Sequence, residues 1–360
     1  MIVCLAFHVF CIFFLVMRMG TYRFGRFFLL ILFLLIEISG FSQVKVIDAN
    51  DSQPVISASV FDANDGTFLG MTDYDGFLPK AADVHDNIHI QHINYNPVNI
   101  TPALYKNSDV LLTPRIHQLP EVKVNKPEDA EIRMKVYIRQ YRVLKGKPAS
   151  FSESIAYLYF KTGNEDKPTS SKILSESSYE NHNAMTGESH MLKSLASCSD
   201  LTSFLLFNGH LRYNSLRGSR RLRSSWKRAG SILYMNEDSI NKKCEIVHDS
   251  LFSEKPFKIP LFGFAFANVY ISETYSTEYG APKIYSLLNV SDRYRVYQTK
   301  TMGYVDEYAE VYVLGIDYAT KEERKADKKL KKTEFVRPQG IIPSNDFMFE
   351  ALKTMTKIEK

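Results

Sequence analysis

The sequence predicts a mainly β protein with some α-helix, in which a small antiparallel β-sandwich precedes a larger β-rich α+β domain. The chain contains 21 Tyr and 24 Phe but one Trp, and flat aromatic side chains favour pleated sheets. Between Val44 and Val124, short apolar runs alternate with turn residues, as in sandwiches. The length of 360 residues allows two domains of about 150 residues each.

The composition is that of a globular protein. Hydrophobic residues make up 45% and charged residues 24% of the chain, which is ordinary for folded domains. The net charge is +5, and Arg18, Arg23, Arg26 and Glu37 near the N-terminus together contribute +2 of it. The remaining +3 is too small to indicate binding to nucleic acid, so we expect no nucleic-acid partner.

Residues 1–42 predict a signal peptide. Two apolar runs, 3–16 and 27–36, flank a basic patch, and neither reaches the ~20 residues that a membrane-spanning helix needs. Small residues at Gly40 and Ser42 suit cleavage by a signal peptidase before residue 43. The alternative is a hairpin of two short membrane segments.

The proportions of a secretory signal are best when the segment is read from Met17 or Met19. Residues 1–16 would then be an upstream extension. Cys4 and Cys11 fall in this leader, which leaves Cys198 and Cys244 in the mature chain. In an oxidising compartment these two could pair, with about 4 kcal/mol of stabilisation; two buried free thiols are the alternative. The chain has no CxxC pair for zinc or redox chemistry.

Eight strands are predicted in the small domain. Turns at 62–66 and 73–76 separate them, because Asp and Asn bond their own backbone and Gly accepts a positive φ. The strands are Val44–Asp48, Val55–Phe61, Thr67–Thr72, Phe77–Leu78, Ile88–Gln91, Ile93–Tyr95, Val98–Ile100 and Val110–Leu112.

These residues carry a resemblance to a known family. The matching positions are Pro54, Val55, Ala58, Val60, Gly70, Thr72, Asp73, Gly76, Phe77 and Ile93-Asn94-Tyr95. Residues 43–124 thereby resemble the carboxypeptidase-regulatory-like family, whose fold is a transthyretin-like β-sandwich. Members of that family are accessory modules, so the resemblance implies stability, spacing or docking rather than peptide cleavage.

Two positions depart from the family pattern. Asn94 stands where Gly is common, and Asn is the next best residue for a left-handed backbone. Pro79 predicts that the strand after Gly76 is short or at an edge. Residues 119–124 resemble the segment that follows this module in envelope proteins, including TonB-dependent transporters. A transporter barrel itself would need far more strands than the remaining chain can supply.

Residues 125–360 are predicted to form a β-rich domain led by an amphipathic helix. The helix is expected because Met134, Tyr137, Ile138, Tyr141 and Leu144 recur at spacings of three and four. Strands are expected at 155–160, 172–175, 262–266, 269–271, 283–287, 294–297 and 309–314. Their aromatic content suggests a curved antiparallel sheet, with an open half-barrel as one arrangement. Further helices are expected at 195–206 and from residue 346, and a charged helix or arm is expected at 320–332. The region resembles uncharacterised envelope domains.

The histidines and the acidic turns of the small domain are candidate metal ligands. His85, His89 and His92 lie close in sequence, but residues 89 and 92 would face opposite sides of a strand, so a solvated strand face is preferred to zinc. The turns 62–66 and 73–76 offer oxygen ligands, but their spacing differs from a calcium loop. We expect no metal and no cofactor.

Two further groups of residues are candidates for binding or catalysis. The basic stretch from Arg212 to Arg228 could bind phosphate, although a solvated loop is the simpler interpretation. Ser189 lies beside His190, but adjacency in sequence does not make a triad. No GxSxG, GxGxxG or P-loop motif occurs. No residue is assigned a catalytic role.

These observations predict a non-catalytic exported protein of the periplasm or outer membrane, with a binding or scaffolding role through the sandwich. Its expected partner is an unknown envelope protein, glycan or lipid, and association with the membrane is compatible with this location. Two alternatives remain. One is a hydrolase acting on envelope peptide or glycan. The other is a carrier of lipid or glycan, whose lipid groove would be lined by Phe262, Phe264, Phe266, Tyr285 and Tyr297.

Overall fold

A computed structural model describes most of the chain after the predicted leader. The described residues are 44–73, 75–102, 105, 108–115, 121–122, 129–163, 168–198, 232–238, 242–249, 257–259, 264–278, 283–298, 303–342 and 346–359. Residues Lys45–Lys360 belong to one compact unit. The predicted signal peptide lies outside the described residues and stays a prediction. None of the described helices has the length and apolar character needed to span a membrane.

The fold is mainly β with some α, as predicted. Two small sheets occupy residues 45–115, which we call the module. Their strands are β1 (Val46–Asp48), β2 (Ser59–Asp62), β3 (Phe68–Met71), β4 (Ile88–Gln91), β5 (Val98–Ile100) and β6 (Val110–Leu112). Four of them form an antiparallel sheet in the order β3-β2-β4-β5, and β1 pairs with β6.

The module differs from the predicted sandwich in three details. The pairing of β1 with β6 is parallel, so the module is not antiparallel throughout. Residues 93–94 form a turn instead of a strand, Tyr95 makes only an isolated bridge with Pro114, and Asn94 is not among the described residues with positive φ. The strand expected after Gly76 is reduced to a single bridge between Lys45 and Phe77, as Pro79 predicts.

A sheet of eleven strands occupies most of the rest of the described chain. Its central path runs β11-β12-β14-β15-β16-β8-β9-β10-β17, with β13 beside β14 and β7 parallel to β16. The strands are β7 (Glu121–Val122), β8 (Glu131–Leu144), β9 (Lys147–Phe160), β10 (Ser170–Glu180), β11 (Ile232–Asp238), β12 (Lys243–Asp249), β13 (Phe257–Ile259), β14 (Phe264–Ser276), β15 (Leu287–Gln298), β16 (Tyr304–Ala319) and β17 (Thr356–Ile358). The expected half-barrel curvature stays a prediction.

The described helices are short. They are α1 (His182–Met185), α2 (His190–Ala196), α3 (Lys321–Lys328) and α4 (Phe347–Leu352). The helix expected after residue 346 is therefore confirmed, and α3 lies in the segment 320–332 that was expected as a charged helix or arm. The helix expected at 195–206 is wrong in its placement, because α2 ends at Ala196 and residues beyond 198 lie outside the described part.

The amphipathic helix predicted to lead the second domain is wrong, because residues 131–144 form strand β8. Both faces of this strand are covered. Ile132, Met134 and Ile138 face one side, and Tyr137 and Tyr141 face the other, and all five side chains are buried. Apolar residues of both parities reproduce helical spacings of three and four, which made the helix the better match.

Two strand predictions also need correction. The described part of the run at 262–266 and the run at 269–271 belong to one strand, β14, which has a bulge between Ala267 and Tyr270. Residues 284–286, expected as strand, form a 3-10 turn before β15.

The two faces of the large sheet bury different partners. The face that carries Tyr137, Arg139 and Tyr141 packs against the module and α4, and we call it the module face. The opposite face carries Val136, Ile138 and other apolar residues of one cluster, and we call it the far face. Helices α1 and α2 pack at one end of the far face, against Leu144 and Val305.

Candidate binding site on the far face

A row of polar side chains crosses the far face of the large sheet. The strand register aligns Ser178 of β10 with Ser152 of β9, Gln140 of β8, Ala309 of β16 and Asp292 of β15. Paired residues project to the same side of a sheet, so these five positions share the far face. The small Ala309 separates Gln140 from Asp292, which places their backbones about 10 Å apart.

Three members of this row are buried without hydrogen-bond partners among the described residues. They are both carboxyl oxygens of Asp292, the amide nitrogen of Gln140 and the hydroxyl of Ser178. Asp292 is fully buried, and Gln140 and Ser178 are 4% and 2% exposed. Buried polar groups in folded proteins are bonded in the great majority of cases, and an unbonded one costs roughly 1–3 kcal/mol. The row is therefore the candidate site on the far face.

A second row lies next to the first, on the side of helix α2. Arg142 donates to Glu307 at 2.8 Å and to the backbone carbonyl of Ser197. Ser150 donates to the carbonyl of Ala196 at 2.5 Å. These bonds fix the end of α2 over the sheet. The second row therefore has a structural role, and it borders the first row.

The electrostatics favour a neutral Asp292. Burial raises the pKa of this carboxyl well above its ordinary value, and the negative charge of Glu307 raises it further. A protonated carboxyl both donates and accepts hydrogen bonds. Together with the Gln140 amide and the Ser178 hydroxyl, it offers donors and acceptors of the kind that match hydroxyl groups of a ligand.

The module face presents buried charges in a different state. Arg139 is 1% exposed and bonds both Glu310, at 2.6 Å, and Asp346, at 2.7 Å. Burial alone would raise the pKa of Glu310, but Arg139 and Arg293 outweigh that effect and lower it. Arg337 pairs with Glu153 at 2.5 Å. These carboxylates are therefore occupied by guanidinium groups of the protein itself.

Direct bonds attach the module to this face. Arg293 donates to the carbonyl of Ser57 at 3.1 Å, and Asn94 bonds Thr274 at 3.1 Å and Asn289 at 3.2 Å. The interface role of Asn94 explains its side chain without any left-handed backbone.

The three histidines do not form a metal site. His85 bonds Asp62 and His89 bonds Asn99, both at 2.5 Å, while His92 accepts from the backbone of Asn94 at 3.2 Å. The interpretation as a solvated strand face is wrong for two of them, since His89 and His92 are buried. Burial, reinforced by Arg293, lowers the pKa of His92 to about 3, so it is neutral near pH 7. No group of three potential metal-ligating side chains occurs in the described part of the chain.

The acidic turns use their oxygens on their own backbone. Asp62 accepts from the amide of Asn64 at 2.7 Å, and Asp73 accepts from the amides of Asp75 and Phe77. This is the turn chemistry expected of Asp at such positions.

The remaining candidates have structural roles or lie outside the described residues. Ser189 caps α2, accepting from the amide of Leu192 at 3.3 Å. No disulfide joins Cys198 to Cys244, so the predicted pairing is not realised. Arg212–Arg228 and Phe262 lie outside the described residues.

The lipid groove predicted from five aromatic residues stays a prediction. In the ladder of β14 and β15, residue 266 pairs with Val296 and residue 265 pairs with Tyr297. Tyr285 lies in the turn before β15, against the apolar cluster of the far face.

The sequence did not predict the polar row, because the register that aligns five strands cannot be inferred from the sequence of any one strand. A partial signal does exist in β15. Its far-face positions Val290, Asp292, Tyr294 and Val296 alternate with polar residues, so Asp292 is a charged residue in the apolar parity.

The chain was compared with known proteins. It matches no protein-family model, and no curated protein is significantly similar to it.

Proposed function

We propose that this protein is a non-catalytic exported envelope protein with a binding role, in which the module is a scaffold for the large sheet. The polar row of Asp292, Gln140 and Ser178 carries the proposal. Its unpaired donors and acceptors suit a small hydroxyl-bearing ligand such as a glycan fragment. Export, the periplasmic or outer-membrane location and the family resemblance of residues 43–124 enter as parts of the same proposal.

The attachment of the module supports the scaffold role. It contacts the sheet through Phe61, whose ring lies 5.5 Å from that of Tyr308 in β16, and it contacts α4 by stacking of Phe61 on Phe347, with ring centroids 4.3 Å apart. A module fixed in this way positions the sheet instead of moving relative to it. This agrees with the accessory role that the family resemblance implies.

A carrier of an amphipathic lipid is the second candidate. The observation in its favour is the apolar cluster of the far face, which begins at Ile138, two residues along β8 from Gln140. A polar head group at the row could then continue into an apolar chain. A lipid predicts co-purification of the ligand, which a weakly bound glycan fragment does not.

Native mass spectrometry of the purified chain tests these functions. A bound mass identified as lipid supports the carrier. Binding of glucose or N-acetylglucosamine, measured by saturation-transfer NMR and lost in Asp292→Leu but kept in Asp83→Asn, supports the glycan site; Asp83 is exposed and matched in type. Covalent labelling by a fluorophosphonate probe would contradict the non-catalytic proposal. Neither ligand bound, in a folded protein, would contradict the binding role.

A further inference from the structure

The segment that follows helix α3 carries a run of exposed lysines. Lys328, Lys329, Lys331 and Lys332 surround Leu330, and no acidic residue interrupts them. Residues 321–332 contain seven basic and three acidic side chains, a net charge of +4 in a chain whose total is +5. Positive charge at this density attracts anionic surfaces.

The neighbouring acids already have basic partners. They are Asp327 with Arg133 at 2.8 Å, Glu131 with Arg324 at 2.6 Å, and Glu176 with Lys332. None of the described acidic side chains forms an ion pair with Lys328, Lys329 or Lys331. Among the described residues, three lysines of the run therefore have no acidic partner.

The backbone of the run is held at both ends. Before it, Asp327 also accepts from the hydroxyl of Tyr159 at 2.7 Å, and Lys172 donates to the carbonyl of Lys328 at 3.2 Å. After it, the amide of Thr333 donates to the carbonyl of Leu174 at 2.9 Å. A binding surface that is ordered beforehand loses less conformational entropy on association.

The same segment exposes apolar side chains. Leu330 is 45% exposed and Val336 is 72% exposed. A bilayer with anionic phospholipids can satisfy both kinds of residue, because lysines reach the phosphates while an apolar side chain enters the interface. A soluble polyanion would satisfy the lysines alone. We propose that residues 328–332 dock this protein onto an anionic phospholipid surface.

This inference is independent of the proposed binding function, since the run lies on a segment packed along β10 and shares no residue with the polar row. It concerns where the protein resides, not what it binds at the far face. Each proposal can therefore fail without the other.

Vesicle co-sedimentation tests the docking. The chain beginning at residue 43 contains the whole compact unit Lys45–Lys360 and omits the apolar leader, which would bind lipid by itself. We expect it to sediment with vesicles of phosphatidylcholine and phosphatidylglycerol and not with phosphatidylcholine alone. The triple variant K328Q/K329Q/K331Q should lose roughly 100-fold in partitioning, at about fivefold per lysine.

A matched variant controls for net charge. K80Q/K147Q/K357Q removes three exposed lysines elsewhere and should partition as the wild type does. An equal loss in both triple variants would overturn the proposal, because the run would then have no special role. Equal binding to neutral and anionic vesicles would overturn it as well.

Single substitutions at apolar positions separate a lipid surface from a soluble polyanion. Leu330→Ser should weaken vesicle binding several-fold, whereas Val84→Ser, at a side chain 83% exposed on the module, should not. If Leu330→Ser has no effect and inorganic polyphosphate binds as tightly as the vesicles do, the run recognises polyanions and the lipid proposal is wrong. A circular-dichroism melt of each variant establishes that it is folded.

Discussion

Two buried carboxyl sites on opposite faces of the large sheet are bonded differently. On the module face, Arg139 holds Glu310 and Asp346, and the module and α4 cover the site. On the far face, Asp292 is fully buried and none of the described residues bonds its carboxyl. Both carboxylates of the first site have a guanidinium partner within the protein. The second has hydrogen-bonding capacity left over, and that capacity is the reason to look for a ligand there.

The two faces of the sheet also have different roles. Strands β8, β15 and β16 supply residues to both faces, because side chains alternate along each strand. Residues of one parity attach the module, and residues of the other parity form the polar row. A change on one face is therefore expected to leave the other intact, which allows each to be tested separately.

The largest expected effect comes from removing the guanidinium of the module face. Arg139→Met leaves Glu310 and Asp346 as uncompensated buried charges, which should lower the free energy of unfolding by about 3–5 kcal/mol. Arg324→Met is the control, since its pair with Glu131 is partly exposed and should cost about 1 kcal/mol or less. Urea denaturation measures both. Equal losses would contradict the distinction between the two pairs.

A glycine of the module is expected to have the next largest effect. Gly76 has φ +82°, and an added Cβ would lie 2.5 Å from the carbonyl oxygen of Val46. Gly76→Ala should therefore cost about 2–3 kcal/mol through backbone strain and displacement of β1. Gly340→Ala, with φ +74° and no atom within 4 Å, should cost about 1 kcal/mol. If the module is attached as described, both variants unfold in a single transition, and a separate module transition would contradict this.

A third effect depends on pH and concerns His92 on the module side. Its pKa of about 3 in the folded protein lies below the ordinary value of 6.5, so the unfolded chain binds the proton more readily. Stability is therefore fully present above pH 6.5 and is lost as the pH falls from there toward 3. His92→Gln should reduce this loss by about 1–2 kcal/mol at pH 5.

The control for His92 is the exposed His182, whose replacement by Gln should leave the acid-side slope as it is in the wild type. Unfolding in urea at a series of pH values gives the slopes. An unchanged slope in His92→Gln would show that the histidine is not held neutral by burial.

The sequence predicted the module well and the site poorly, for physical reasons. Turns such as 62–66 and 73–76 are set by local Asp, Asn and Gly chemistry, and the strands of the module lie between them. Strand β8 was missed because both of its faces are buried, and this removes the alternation that marks a strand. The polar row depends on the register of five strands, and that register is a property of the tertiary fold.

The smallest effect belongs to Asp292 and has the opposite sign to that of His92. Burial and Glu307 raise the pKa of Asp292 in the folded protein, so the folded chain binds this proton more tightly than the unfolded chain does. Its cost is therefore small below pH 4 and grows as the pH rises from there toward the folded pKa. Asp292→Asn removes the titrating group with little change of shape, so it removes the cost of keeping the carboxyl protonated and should exceed the wild type in stability by about 1 kcal/mol at neutral pH.

The pH dependence of stability in two variants tests the effect of burying Asp292. The stability gain of Asp292→Asn should shrink as the pH falls toward 4, whereas the exposed Asp83→Asn should show no such trend. A buried carboxyl that lowers the stability of the folded protein is expected at a binding site. A buried carboxyl with a purely structural role would have a hydrogen-bond partner. If Asp292→Asn instead destabilises the protein at every pH, the carboxyl has a structural partner. The two faces would then not differ in how their buried carboxyl groups are bonded.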